Sequence, residues 1–293
     1  MASTSSTTAP QPAPWKQAFL SDLDKMDSPE FVFSSLHPAP KDSPTPYLPR
    51  ARYCIFRGFW SELPENKHNQ APQNERVYES EMPTFTSDVR MQKVSQLFTS
   101  GSGHATKDEQ MQGSGGGGPC EAVYWIKETQ VQWRLKGEAF IVGPDIEDET
   151  ESSGVRTVKS ELGSRMRIVD EGKQGEWSWS KELTAHFGNN SPGLRGMLDA
   201  HSDIEVLIAN ITKGSFKAPP PGRPTSEPYD EKNLALGTKV EDLEDPVARK
   251  NFRVVVIKPE EVEQLDLSDP TKARRQVYIY QADGTWKQEE RWP

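Results

Sequence analysis

Residues 120–126, CEAVYWI, and 131–142, VQWRLKGEAFIV, are two strand-type runs separated by only four polar residues, KETQ. A link that short joins antiparallel neighbours; parallel strands need a crossover of a dozen residues or more. The same pattern recurs near the end of the chain. There Val277-Tyr278-Ile279-Tyr280 leads through Ala282-Asp283-Gly284 into a strand through Trp286. A further alternating run, RARYCIFRGFW at 50–60, is rich in aromatic residues. Helical periods are interposed: WKQAFLSDLDKM (15–26) brings Phe19, Leu20 and Leu23 to one face, and 155–187 reads as helical with a break near Gly172 and Gly175. Hairpin-linked strands and interposed helices predict a mostly β (α+β) fold, an antiparallel barrel with peripheral helices, over a parallel sheet.

Much of the chain reads as lying outside any core. Hydrophobic residues are 33% of 293, with 21 glycines and 24 prolines. The Ser/Thr/Ala/Pro stretch 1–13 is expected to be disordered, followed by a single domain over 14–293. Flexible insertions are expected at about 101–119, which contains GSGGGGP, and at about 213–250, which contains KAPPPGRPTSEP. A net charge of −9 argues against nonspecific binding of nucleic acid or anionic membrane as the main task. No apolar run approaches the length of a membrane span, and the N-terminal stretch has neither the basic start nor the apolar core of a secretory signal. Cys54 and Cys120 lie inside apolar runs without ligand spacing, so no metal site is expected and a cytoplasmic location is.

The chemistry concentrates in TFTSDVRMQKVSQLF, 84–98. It starts as a strand and passes into a helical period. Thr86 and Ser87 are placed to cap free amides, and Arg90 and Lys93 stand three apart, on one face of a helix. Amides, hydroxyls and two cations at one junction suit a phosphate. Taken alone, the stretch reads first as an ordinary capped amphipathic helix with a solvated basic face. In VQWRLKG, Gln132 and Arg134 share one strand face and Trp133 takes the other. A glutamine at the start of an antiparallel strand is usually just an exposed polar residue, but its amide both gives and accepts hydrogen bonds, which suits the pyrimidine edge of a flavin.

In order, RYCIFRGFW, TFTSDVRMQKVSQLF, CEAVYWIKETQVQWRLKGEA, NFRVVVIKPEEVEQLDL and RRQVYIYQADGTWKQEERWP resemble the pyridoxamine 5'-phosphate oxidase-like flavin-binding proteins over roughly residues 15–293. The resemblance implies an antiparallel FMN-binding split β-barrel, a homodimer with two FMN sites at its interface, and a flavin oxidoreductase with a small-molecule substrate or NAD(P)H. It implies Arg52 near the flavin ring or ribityl chain, and Thr86, Ser87, Arg90 and Lys93 around the phosphate and ribityl hydroxyls. Gln132 is implied at the ring, and Arg275, or Arg274 by a one-residue shift, as a contact from the neighbouring subunit. Two departures point to a divergent branch instead of the vitamin-processing enzyme itself. PTKARRQ stands where those enzymes carry an Arg-x-His motif, and Leu265 stands where they carry tryptophan. The alternative reading is a split-barrel module that binds flavin or another ligand without turnover, as carrier, sensor or scaffold.

Overall fold

A computed structural model describes residues 11–101, 111–190, 242–244, 246–269 and 271–293. In chain order its elements are α1 (Lys16–Leu23), β1 (Glu30–Pro38), β2 (Tyr47–Ile55), β3 (Tyr78–Glu79), β4 (Thr84–Asp88), α2 (Gln92–Thr99), β5 (Gly115–Ile126) and β6 (Val131–Val142). Then follow α3 (Ser153–Gly163), β7 (Arg167–Ile168), α4 (Trp179–Asn189), α5 (Pro246–Asn251), β8 (Phe252–Asp266), β9 (Arg274–Tyr280) and β10 (Trp286–Arg291). Both hairpins expected from their short turns form, β5 with β6 and β9 with β10.

One antiparallel sheet runs β10-β9-β8-β6-β5-β1-β2, and β4 adds to β8. The first half of β8 lies between β6 and β4, the second half between β6 and β9, so the sheet forks along this one strand. Just past β2 the chain returns to β4: Arg57 N donates to Thr84 O (2.9 Å) and Thr84 N to Gly58 O (2.8 Å). These bonds bring the two sheet edges together without a full ladder, which makes the sheet a split barrel. The strand period then sorts side chains into two cores. Val255 and Ile257 face the barrel interior with Phe31, Phe33, Phe85, Tyr124, Trp133 and Leu135. Phe252, Val254 and Val256 face the layer containing α3 and α4, with Val158, Leu162, Leu183 and Phe187.

Helix α1 closes the barrel interior. Phe19 meets Tyr124 edge-on at 5.0 Å and Trp133 at 5.6 Å, and Trp133 Nε1 donates to Asp22 (2.8 Å). The packing reaches upstream: Ala13 is buried and Gln11 N donates to Gly284 O, so 11–13 are held, although they read as part of a disordered tail.

The Gly-rich insertion is corrected in its second half. Residues 115–119 are the first part of β5, paired to β6 through a bulge between Gly116 and Gly118. Gly116 and Gly117 take φ +96° and +91°, left-handed values that let the strand bulge. At Gly118 the backbone presses on α2: a Cβ would sit 2.7 Å from Leu97 O and 2.8 Å from Leu97 Cα. Here glycine provides close approach, not flexibility. Residues 102–110, and 213–241 of the second insertion, lie outside the described residues. Strand β1 joins the sheet, with Phe31, Phe33 and Ser35 alternating inward. Among the described residues no helix is long and apolar enough to cross a membrane.

Candidate functional site

The junction after β4 departs from its sequence reading. β4 stays paired to β8 through Asp88, which keeps 84–88 extended, and α2 starts only at Gln92, with no side chain capping it. Thr86 and Ser87 therefore point to opposite faces and cap no helix. Thr86 Oγ1 reaches Asn190 Oδ1 beyond α4 (3.3 Å), whereas Ser87 Oγ faces Lys93 Nζ (3.4 Å). Arg90 precedes α2, so it does not share a helix face with Lys93. Asp88 Oδ1 accepts from Arg90 N (2.8 Å), and the guanidinium closes on the same carboxylate through Nε–Oδ1 (2.8 Å) and Nη2–Oδ2 (2.5 Å).

Arg52 and Lys93 have a different setting. Arg52 lies opposite Phe33 in register, on the inner face of β2. Its Nη1 donates to Ser35 Oγ (2.8 Å), Phe33 O (3.3 Å) and Arg50 O (3.4 Å), and its Nη2 to Gln96 Oε1 (2.5 Å). None of these acceptors is a carboxylate. Burial pulls the Arg52 pKa below its ordinary value. Lys93 is also pulled down, first by burial and then by the nearby Arg52 charge, while Cys54 and Asp88 act the other way. Among the described residues neither cation makes an ion pair. Two part-buried positive charges held by neutral acceptors are costly to desolvate unless an anion joins them.

Gln132 and Arg275 lie on the outer face of the sheet. Gln132, Leu265 and Arg275 are consecutive partners across β6, β8 and β9. Arg275 Nη2 is paired with Glu263 Oε2 (2.6 Å), and Arg134 bridges Glu121 (2.6 Å) and Glu263 (3.4 Å). One chain thus gathers Arg52, Ser87 and Lys93, while Thr86 faces the α4 side of β4 and Arg90 is held by Asp88. The chain separately aligns Gln132 with Arg275. The two groups are on opposite faces of the sheet.

Ser35 and Gln96 escaped the sequence reading. The inward period of β1 (Phe31, Phe33, Ser35) locates the first, and Gln96 interrupts the apolar Val94-Leu97-Phe98 face of α2. His186, on α4, is a packing residue: 1% exposed, it stacks on Trp60 with ring centroids 5.6 Å apart and planes 9° apart. Burial lowers its pKa to about 3, and burial raises that of Glu182, one turn earlier, to about 7. The C-terminal aromatics are largely used within the chain: Trp286 packs on Trp15 (5.7 Å) and Tyr280 on Trp286 (5.2 Å). Exposed aromatic surface sits on Tyr53 (76%) and Trp125 (44%) and, in the C-terminal stretch itself, on Trp292 (92%).

Residues 12–143, from ahead of α1 to the end of β6, match the family described as pyridoxamine 5'-phosphate oxidase, FMN-binding domain. That span holds Arg52, Thr86, Ser87, Arg90, Lys93 and Gln132 but not Arg275. No curated protein matches the chain. Among solved structures, a pyridoxamine 5'-phosphate oxidase-related, FMN binding protein from Nostoc punctiforme is similar over 97% of this chain and 99% of its own, at 16% identity and a TM-score of 0.53. PhzG from Burkholderia lata 383, solved with tetrahydrophenazine-1-carboxylic acid, aligns over 97% and 94% at 16% identity with a TM-score of 0.42. The match over 12–143, carried on a forked antiparallel barrel, supports a divergent member of the pyridoxamine 5'-phosphate oxidase-like split-barrel family.

Proposed function

We propose that the chain is an FMN-dependent oxidoreductase that works as a homodimer, with each flavin held between subunits. The observation that carries this reading is the Arg52–Lys93 pair, two part-buried cations whose hydrogen-bond partners are all neutral. A phosphate dianion completes such a site, and each charge-assisted bond to it contributes about 1.5–3 kcal/mol. Ser87 Oγ adds a donor on the same side. Arg90 flanks the ribityl chain in this reading, steering less strongly because Asp88 already offsets its charge, while Thr86 supports the site from the other face of β4 through Asn190.

When bound, FMN supplies the electron-transfer chemistry, and the protein orients it and tunes its electrostatics. Arg52 and Lys93 oppose the negative charge of the phosphate. The Gln132 amide meets the ring's polar edge from the partner subunit, with Arg275 beside it. This division explains why one chain presents the two residue groups on opposite faces. Exposed Tyr53 and Trp125 on the outer face support burial against a second copy. A small-molecule substrate or NAD(P)H completes the reaction.

The test is rapid mixing of FMN-loaded protein with NADH, NADPH and pyridoxamine 5'-phosphate. Bound-flavin reduction well above the free-flavin rate supports an enzyme. Tight FMN binding without reduction by any of them makes the chain a flavin-binding module, and failure to bind FMN ends the proposal.

A further inference from the structure

Gln96 is 1% exposed on the inner face of α2, an unusual place for an amide. Its carbonyl is fully engaged: Oε1 accepts from Ser35 Oγ at 2.7 Å and from Arg52 Nη2 at 2.5 Å. Ser35 Oγ in turn accepts from Arg52 Nη1 at 2.8 Å. The three side chains close a ring in which Arg52 donates twice and Gln96 accepts twice: Arg52 donates to Ser35, Ser35 donates to Gln96, and Arg52 donates directly to Gln96. The guanidinium is thereby fixed at both terminal nitrogens, with Phe33's ring 5.7 Å from its carbon. Among the described residues, buried Gln96 Nε2 has no hydrogen-bond partner. A carboxylate at this position would hold the arginine at least as firmly, but it would also cancel its charge. An amide holds it and leaves the charge intact, at the expense of one unmade hydrogen bond.

We infer that Gln96, through Ser35, is a positioning residue that fixes the Arg52 guanidinium without neutralising it, so that its full positive charge faces a phosphate-type anion. The identity of that anion as the FMN phosphate rests on the function proposed above. The fixing of the guanidinium does not.

Gln96→Glu and Gln96→Leu separate holding from neutralising. Two readouts apply to each: FMN and riboflavin affinity by fluorescence quenching, and the nitrogen–proton spectrum of the Arg52 guanidinium in ligand-free protein, assigned by its loss in Arg52→Lys. In the wild type the Arg52 Nη protons should be resolved and slow to rotate. Gln96→Glu should keep them so while weakening FMN tenfold or more. Gln96→Leu should free the guanidinium and weaken FMN severalfold. Riboflavin affinity should change less than twofold in both. Should Gln96→Leu fail to fold, Gln96→Glu, which retains every acceptor in the ring, still decides. A freely rotating Arg52 in the wild type, or wild-type FMN affinity in Gln96→Glu, overturns the inference. If instead Arg52→Ala and Lys93→Ala both bind FMN like the wild type, the flavin-phosphate reading fails, and the spectrum alone decides whether Gln96 positions Arg52.

Discussion

Two groups of cations on this barrel have opposite surroundings. On the outer face, Arg134 and Arg275 share Glu263, and Arg134 also pairs with Glu121. On the inner face, Arg52 is held by an amide, a hydroxyl and backbone carbonyls, and Lys93 by a serine hydroxyl. The outer cations serve mainly to tie strands together, as part-exposed ion pairs of modest worth. The inner ones retain unneutralised charge at a cost in desolvation, which a protein keeps where an anion is to be bound. Residue type alone does not separate the two groups. The acceptors do.

The largest expected effect comes from an acid that faces neither cation group. Glu182 is buried on α4 with Asn74 Nδ2 at 3.0 Å from Oε2, and its pKa is raised to about 7 by burial. Below its ordinary value near 4.5, folded and unfolded chains both hold the proton and stability is intact. As pH rises through about 7 the unfolded chain has ionised first, and that stability is lost. Glu182→Gln removes the titration, so it should gain up to about 3 kcal/mol over the wild type at pH 8 and little at pH 4.5. His186 works in the other direction, since its lowered pKa removes stability as pH falls from about 6.5 toward 3. Denaturant midpoints between pH 6.5 and 8 therefore isolate Glu182. An unchanged difference across that range would show that the carboxyl is not desolvated.

Next in size is the support beneath α2. Gly118→Ala drives a methyl group against Leu97 backbone and Ser100 Oγ, and overpacking of this kind costs about 1–3 kcal/mol. Because α2 carries Lys93 and Gln96, FMN affinity should fall together with the urea midpoint. Loss of stability with normal FMN binding would uncouple the helix from the inner cations.

Smaller still is the effect expected at the outer face. Arg275→Ala should weaken FMN severalfold at most, since Glu263 already offsets its charge, and should loosen the dimer in sedimentation of FMN-loaded protein. A flavin-loaded monomer at micromolar concentration would contradict the two-subunit site and require both groups to act on separate ligands.

Short-range features of this fold are legible in the sequence. The four-residue turn fixes the β5–β6 hairpin, and alternation places Trp133 inward and Gln132 outward. Composition misleads at 115–119, because a run of glycines also suits a strand pressed against a helix. The β4–α2 junction misleads for a different reason. Helix propensity begins near Arg90, but pairing with β8 holds the chain extended through Asp88, and that long-range ladder overrides the local signal. Nor does spacing announce that Asp88 takes Arg90 while Gln96 takes Arg52. Those choices depend on which elements the barrel brings face to face.

The most direct test of the central claim is the ratio of FMN to riboflavin affinity in the wild type, Arg52→Ala and Lys93→Ala, measured by titration of each flavin. If the inner cations hold the phosphate, the wild type prefers FMN strongly, and each substitution should cut that preference about tenfold, some 1.4 kcal/mol, by weakening FMN alone. Equal weakening of FMN and riboflavin, or an unchanged ratio in both variants, would contradict the assignment of the phosphate to Arg52 and Lys93.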